Sequence, residues 1–303
     1  MRRFASILID NLRMKKTQLL TFLFFSMCSI ALAQTKVPKQ EIILLWPKGV
    51  PTESGITTEE KKLTEGRIAN VTIPTLTVYH PEHPNGTTVL IFPGGGYFIV
   101  SMGQEGCDWA NWFNNSGITV AVLKYRMPNG HCKIPMEDAE QAMRILKINA
   151  GKWNINTKKI GVMGFSAGGH LASTIAVHYS KDTRPDFQIL IYPVISMKNG
   201  ITHEGSRKQL LGENPTQDEI NYYSNELNVT HDTPPAFLML TSDDPIVNQT
   251  NSINYYQELQ RNNISVTMHI YTNGGHGFGN RQSFPYLKIF EDELSSWLNS
   301  ICK

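Results

Sequence analysis

Apolar positions in this chain fall into short continuous runs separated by segments of helical period. The runs predict strands at residues 75–80, 87–92, 118–124, 160–164, 187–191, 236–241 and 265–271. Several have no polar interruption, as in Val89-Leu90-Ile91-Phe92 and Val120-Ala121-Val122-Leu123. Continuous runs suit strands covered on both faces, and hence a mostly parallel sheet. Helical spacing marks residues 105–115, 135–150, 167–179, 250–262 and 284–299. In the second of these, Ala139, Ala142, Met143 and Leu146 share a face, and Pro135 suits a first turn. In the last, Leu287, Phe290, Leu294 and Trp297 form one stripe that reads as core packing. Alternation of the two element types predicts a single doubly wound α/β domain. Two regions break the rhythm. Residues 34–74 predict an edge strand at 42–45 and a long surface loop. Residues 193–235 are long for a connection and predict short helices over a site.

The first 33 residues read as a leader rather than as part of the fold. Lys15-Lys16 precede an apolar run from Leu19 to Ala33 that ends Ala31-Leu32-Ala33, the basic head and small-x-small exit of a secretory signal peptide. Met14 makes a more natural start than Met1, so residues 1–13 read as an extension. The alternative is an uncleaved membrane anchor, although the run is short for a span. A lipoprotein would need a smaller residue than Met27 before Cys28. Residues 34–303 are then the mature domain, in an exported, disulfide-permissive setting. Cys107, Cys132 and Cys302 allow at most one internal bridge.

Composition adds little beyond exclusions. The 303 residues are 41% hydrophobic, an ordinary globular value. The leader holds Arg2, Arg3, Arg13, Lys15, Lys16 and Asp10; without it, 28 basic and 26 acidic residues become 23 and 25, a net charge of −2. No basic patch or motif points to nucleic acid. No Cys-x-x-Cys or His-Glu-x-x-His spacing marks a metal site, so neither a metal nor a cofactor is expected.

The candidate chemistry lies where the 160–164 strand meets the 167–179 helix. Gly164-Phe165-Ser166-Ala167-Gly168 is a Gly-x-Ser-x-Gly turn in strand–helix context, which holds a serine hydroxyl out at the sheet edge. A serine nucleophile needs an imidazole base, and the base needs a carboxylate. Of nine histidines, His276 alone lies in a glycine-flanked loop (Gly274-Gly275-His276-Gly277) after the last strand. His269 lies within that strand and His170 on the elbow helix, so both read as packing residues. His80, His83, His131, His178, His203 and His231 lack the late-loop context. The acid should close the 236–241 strand, where Asp243 and Asp244 both stand. Asp244, followed by x-x-Val, fits the acid position; Asp243 then reads as a turn or capping residue. An oxyanion needs backbone N–H donors. Ala167 supplies one, and the glycine run after the 87–92 strand supplies the others at Gly95 and Gly96. That run ends as neither a phosphate loop nor a dinucleotide fingerprint.

With these pieces in place, the chain resembles the α/β-hydrolase esterases of the carbohydrate acetyl-esterase and feruloyl-esterase-like group, members of which are often labelled endo-1,4-β-xylanase. The resemblance covers roughly residues 41–300. It rests on Pro-Gly-Gly-Gly-Tyr at 93–97, Leu-Lys-Tyr-Arg-Met-Pro at 123–128, Pro-Met-Glu-Asp-Ala at 135–139 and the serine turn at 161–170. It continues in Ile-Tyr-Pro-Val-Ile-Ser-Met at 191–197 and Gly-Gly-His-Gly-Phe-Gly at 274–279. Pro93 stands where related lipases carry histidine, and Asn248 where the acid loop often has proline. The resemblance implies an α/β-hydrolase fold and a cofactor-free serine esterase. It also implies substrates such as acetylated or feruloylated plant polysaccharide fragments, met in a bacterial periplasm or medium. Tyr97, Tyr125, Tyr192 and His203 are candidates for lining the entrance, with ordinary packing the alternative for each. The competing functions are a prolyl-oligopeptidase-type serine peptidase and a carbohydrate-binding protein on a hydrolase scaffold.

Overall fold

The computed structural model describes residues 39–302; the leader read at residues 1–33 lies outside them. In chain order the strands are β1 (Lys39–Leu44), β2 (Lys61–Lys62), β3 (Arg67–Ala69), β4 (Thr75–His80), β5 (Thr88–Phe92) and β6 (Ile99–Ser101). They continue as β7 (Thr119–Lys124), β8 (Ile160–Phe165), β9 (Gln188–Ile191), β10 (Ala236–Thr241) and β11 (Val266–Tyr271). Eight of them form one sheet in the order β1-β4-β7-β5-β8-β9-β10-β11. From β7 to β11 every neighbouring pair is parallel, while β4 runs against both β1 and β7. The continuous apolar runs thus coincide with strands, nearly to their limits.

Period-two alternation within those runs divides the core in two. On one face Leu90, Val162, Leu190 and Leu238 pack with helices Ile134–Ile148, Ala167–Val177 and Thr250–Arg261. On the other, Val89, Met163, Ile189 and Phe237 pack with helices Ala110–Asn115 and Leu287–Ile301. Each wholly buried side chain of this size stabilises the fold by roughly 1.5–3 kcal/mol relative to its exposed state. Phe290 and Leu294 of the last helix are fully buried, so the stripe that begins at Leu287 serves the core.

Two motif segments have structural tasks here. Arg126 and Asp138 form a buried ion pair at 2.7 Å, and Trp46 Nε1 donates to the same carboxylate at 2.7 Å. The end of β7, the following helix and the N-terminal segment are thereby joined.

Two expectations need correction. Helix does not begin at residue 105: Gly106 adopts φ −146° and ψ −96°, so a 3-10 turn (Cys107–Trp109) precedes the α-helix. Residues 34–74 hold more than an edge strand and a loop. β2 and β3 join β6 in a separate antiparallel sheet of order β2-β3-β6, which brings Glu65 and Arg67 to the cavity described below. The pairing was illegible because two strands of two and three residues carry no period. Cys107, Cys132 and Cys302 are all free thiols. Among the described residues no helix is long and apolar enough to cross a membrane.

Candidate active site

β8 runs straight into helix Ala167–Val177, and the junction residue Ser166 takes φ 52° and ψ −119°. A non-glycine residue at positive φ is strained, and such strain persists where the surroundings over-determine it. Those surroundings are the two glycines of the turn. A Cβ on Gly164 would lie 2.2 Å from the Gly168 carbonyl oxygen, and one on Gly168 would lie 2.0 Å from the Phe92 oxygen. Both close approaches are to backbone, which cannot swing aside. Gly168→Ala is therefore expected to destabilise the protein by about 3 kcal/mol, as overpacking does. Gly151→Ala, with no atom within 4 Å of the new Cβ, should be neutral or slightly stabilising. Urea unfolding midpoints of the two variants check the contrast.

Three loops converge at the C-terminal ends of the parallel strands. Ser166, 7% exposed, presents its hydroxyl there. From the loop after β11, His276 Nε2 lies 2.9 Å from Ser166 Oγ. From the loop after β10, Asp244 Oδ2 lies 2.7 Å from His276 Nδ1. A carboxylate can only accept, so Nδ1 carries the proton and Nε2 is left to accept from the serine. The second Asp244 oxygen accepts the N–H groups of Ile246 and Val247 at 2.8 and 3.0 Å. Neighbouring Asp243 turns the other way, accepting the Gly274 and Gly275 N–H groups at 3.1 and 2.8 Å. It thus clamps the loop that carries His276, rather than capping its own turn.

The glycine run after β5 curls beside the serine. Gly94 and Gly95 oxygens accept the N–H groups of Ser101 and Phe98, both at 3.0 Å. Gly95 sits at φ 129°, and a Cβ there would meet the Ile99 oxygen at 2.3 Å. The amides of Gly95, Gly96 and Ala167 have no acceptor among the described residues. The loop's support comes from two side chains: Tyr125 O–H donates to the Pro93 oxygen at 2.8 Å, and Glu105 accepts the Gly94 N–H at 3.0 Å.

Gly95, Gly96, Ser166 and His276 line a cavity of about 360 Å³, bordered by Phe98, Ile246 and His203. His203 thus borders the cavity that holds Ser166 and His276. Burial, and then the nearby His276, hold its imidazole below the usual range. The three tyrosines do not line the entrance. Tyr97, Tyr125 and Tyr192 are all at most 1% exposed. Their hydroxyls are already bound: Tyr97 to His170 Nδ1 at 2.9 Å, Tyr125 to Pro93 and Tyr192 to Glu105 Oε1 at 2.7 Å. Buried phenols need such partners, and these tyrosines find theirs in the scaffold under the loops. His170, buried between Tyr97 and the Tyr223 carbonyl, is the packing residue it was read as; burial pushes its pKa down to about 4.

Sequence reasoning missed Glu105, Phe98, Ile246 and Arg281, which also border the cavity. Glu105 opens the segment of helical spacing at 105–115, and no local pattern marks it. Burial pushes its carboxyl above the usual carboxylate range, against the opposing pull of the Tyr192 hydroxyl and of His276. Among the described residues, no group of three or more His, Cys, Asp or Glu side chains is placed to hold a metal ion.

Comparison with known proteins gives the arrangement a context. A family model described as alpha/beta hydrolase fold matches residues 89–280. An acetylxylan esterase of Xylanibacter ruminicola is 41% identical over 227 residues, covering 73% of this chain and 47% of that protein. Endo-1,4-beta-xylanase B of Butyrivibrio fibrisolvens is 38% identical over 221 residues, covering 68% of this chain and 34% of that protein. The chain thus spans about half or less of the length of these two curated relatives. Among solved structures, an acetyl ester-xyloside bifunctional hydrolase from Caldicellulosiruptor lactoaceticus superposes with a TM-score of 0.74 at 34% identity. That match covers 88% of this chain and 98% of the other.

Proposed function

This chain belongs to the α/β-hydrolase family, and from that membership we propose that it is a serine ester hydrolase that removes small acyl groups from carbohydrate esters. The observation that carries the reading is the Ser166–His276–Asp244 chain of contacts at 2.9 and 2.7 Å, set beside three backbone amides with no acceptor among the described residues. His276 Nε2 takes the hydroxyl proton as Ser166 Oγ attacks the ester carbonyl. The amides of Gly95, Gly96 and Ala167 stabilise the charge that develops on the carbonyl oxygen. As the ester C–O bond breaks, His276 gives that proton to the departing sugar oxygen, releasing the sugar alcohol and leaving an acyl-serine. Water, deprotonated by His276, releases the carboxylic acid and restores the serine. The Asp244 carboxylate holds the imidazole and favours its protonated form in both steps.

An acetylated xylan fragment is the substrate that the relatives best support, since one is an acetylxylan esterase and another an acetyl ester-xyloside hydrolase. The leader-like residues support an exported location for the same chemistry. The test is hydrolysis of p-nitrophenyl acetate, butyrate and octanoate, together with acetate release from acetylated xylo-oligosaccharides. Turnover that falls steeply with acyl length, with acetate released from the oligosaccharide, is the expected result. Equal rates on octanoate would overturn the small-acyl assignment, and no ester turnover at all would overturn the esterase reading.

A further inference from the structure

The chemistry above leaves one buried ionisable side chain at the site without a task. Glu105 is 5% exposed and borders the cavity that holds Ser166 and His276. Its two oxygens face in different directions. Oε2 accepts the Gly94 N–H at 3.0 Å, and Gly94 leads into the loop that carries Gly95 and Gly96. Oε1 accepts the Tyr192 hydroxyl at 2.7 Å.

Tyr192 continues the connection to the other side of the site. Its hydroxyl oxygen accepts the Gly279 N–H at 3.0 Å, on the loop that carries His276. Its ring lies 4.7 Å from the His276 ring and 4.5 Å from that of Phe278, centroid to centroid. The tyrosine holds φ 38° to reach this position, directly after β9. The carboxyl also sits immediately behind the nucleophile. A Cβ placed on Gly94 would be 2.6 Å from Glu105 Oε2 and 3.0 Å from Ser166 Cβ.

A carboxyl removed from water costs several kcal/mol unless its lone pairs are satisfied, so packing alone would favour an apolar side chain there. A carboxylate is the one protein side chain that offers two acceptor oxygens and no donor. Here those acceptors meet the Gly94 amide and the Tyr192 hydroxyl, donors on different loops, with the Ser101 side chain also hydrogen-bonding the carboxyl. On the esterase reading above, we propose that Glu105 is a positioning residue: it sets the spacing between the Gly95–Gly96 amides and the His276 imidazole, acting through Gly94 and Tyr192.

Glutamine has the same shape but one acceptor. In Glu105→Gln, the donor that faces the amide nitrogen must reverse or lose its partner. The Tyr192 hydroxyl is the one that can rotate, and it would then be left without an acceptor for its proton. The experiment measures kcat and KM for p-nitrophenyl acetate, with thermal melting, in wild type, E105Q, E105A, Y192F and the double variant E105Q/Y192F. Misplacement of reacting groups acts on the chemical step, so kcat should fall about tenfold in E105Q and about a hundredfold in E105A, with KM within about threefold of wild type. Y192F should also lose about tenfold. Because the two residues act in one path, E105Q/Y192F should be little worse than either single variant.

A folded E105Q with wild-type kcat overturns the proposal. So does a loss that lies in KM, and so do effects of E105Q and Y192F that multiply. Should E105A not fold, the near-isosteric E105Q and the single-atom change Y192F decide the matter. Wild-type protein without Ser166-dependent turnover would instead remove the esterase reading on which the proposal rests.

Discussion

Ser166→Ala is expected to lower kcat for p-nitrophenyl acetate by about ten-thousandfold or more, and to abolish labelling by a fluorophosphonate probe. The size follows from what the hydroxyl does. It is both the attacking group and the donor of the proton that His276 receives. What remains without it is the rate that bound water achieves beside the backbone amides. The fold should be unaffected for an equally local reason. Among the described residues, the single side-chain hydrogen bond of Ser166 runs to His276 Nε2, and alanine removes it without adding an atom. The strained φ of 52° is set by Gly164 and Gly168, which stay. Unchanged melting with lost turnover is the expected pair of results. Hydrolysis retained by the pure variant would overturn the assignment of the nucleophile.

The second large effect separates two adjacent acids. Asp244→Asn should lower kcat by about a thousandfold or more, because the amide can offer N–H to His276 Nδ1 and select the wrong tautomer. Nε2 then faces the serine with a proton already attached and cannot act as a base. Asp243→Asn should cost about tenfold or less, since an amide oxygen still accepts from the Gly274–Gly275 turn. Its loss should show in melting as much as in turnover. Steady-state kinetics on the two variants checks both. The reverse order of effects would make Asp243 the acid and leave the 2.7 Å contact of Asp244 without a catalytic task.

Glu105 adds a third carboxyl to this region, and its effect is expected to be smaller. Its hydrogen bonds run to Gly94 and Tyr192, and through them to the elements that carry the oxyanion donors and the base. Catalytic geometry in this scaffold is thus distributed: each of three loops brings one reacting group, and buried side chains beneath them fix the distances between the loops. The three buried tyrosines belong to that foundation. Their hydroxyls meet a loop carbonyl, an elbow-helix histidine and a buried carboxyl.

What the chain determined by itself was whatever depends on neighbours in sequence. Runs such as Val89-Leu90-Ile91-Phe92 specify strands buried on both faces, because alternate side chains must all find apolar cover. The glycines around Ser166 specify a turn that no bulkier sequence could make. The glycines around His276 mark a loop able to fold inward. The tertiary structure decided what depends on partners far along the chain. Asp243 and Asp244 share one turn and one chemistry. The x-x-Val spacing favours Asp244 as the acid, but what each carboxylate binds is set by where a loop 32 residues later comes to rest. Tyr192 and Glu105, 87 residues apart, have no meaning for each other until β9 and the turn after β6 are brought together. Whether a tyrosine lines an entrance or supports a loop is likewise a matter of which side of the sheet edge it meets. Local sequence fixes φ, ψ and apolar periodicity; hydrogen-bond partners across the fold are set by topology and packing, and the site's geometry resides in them.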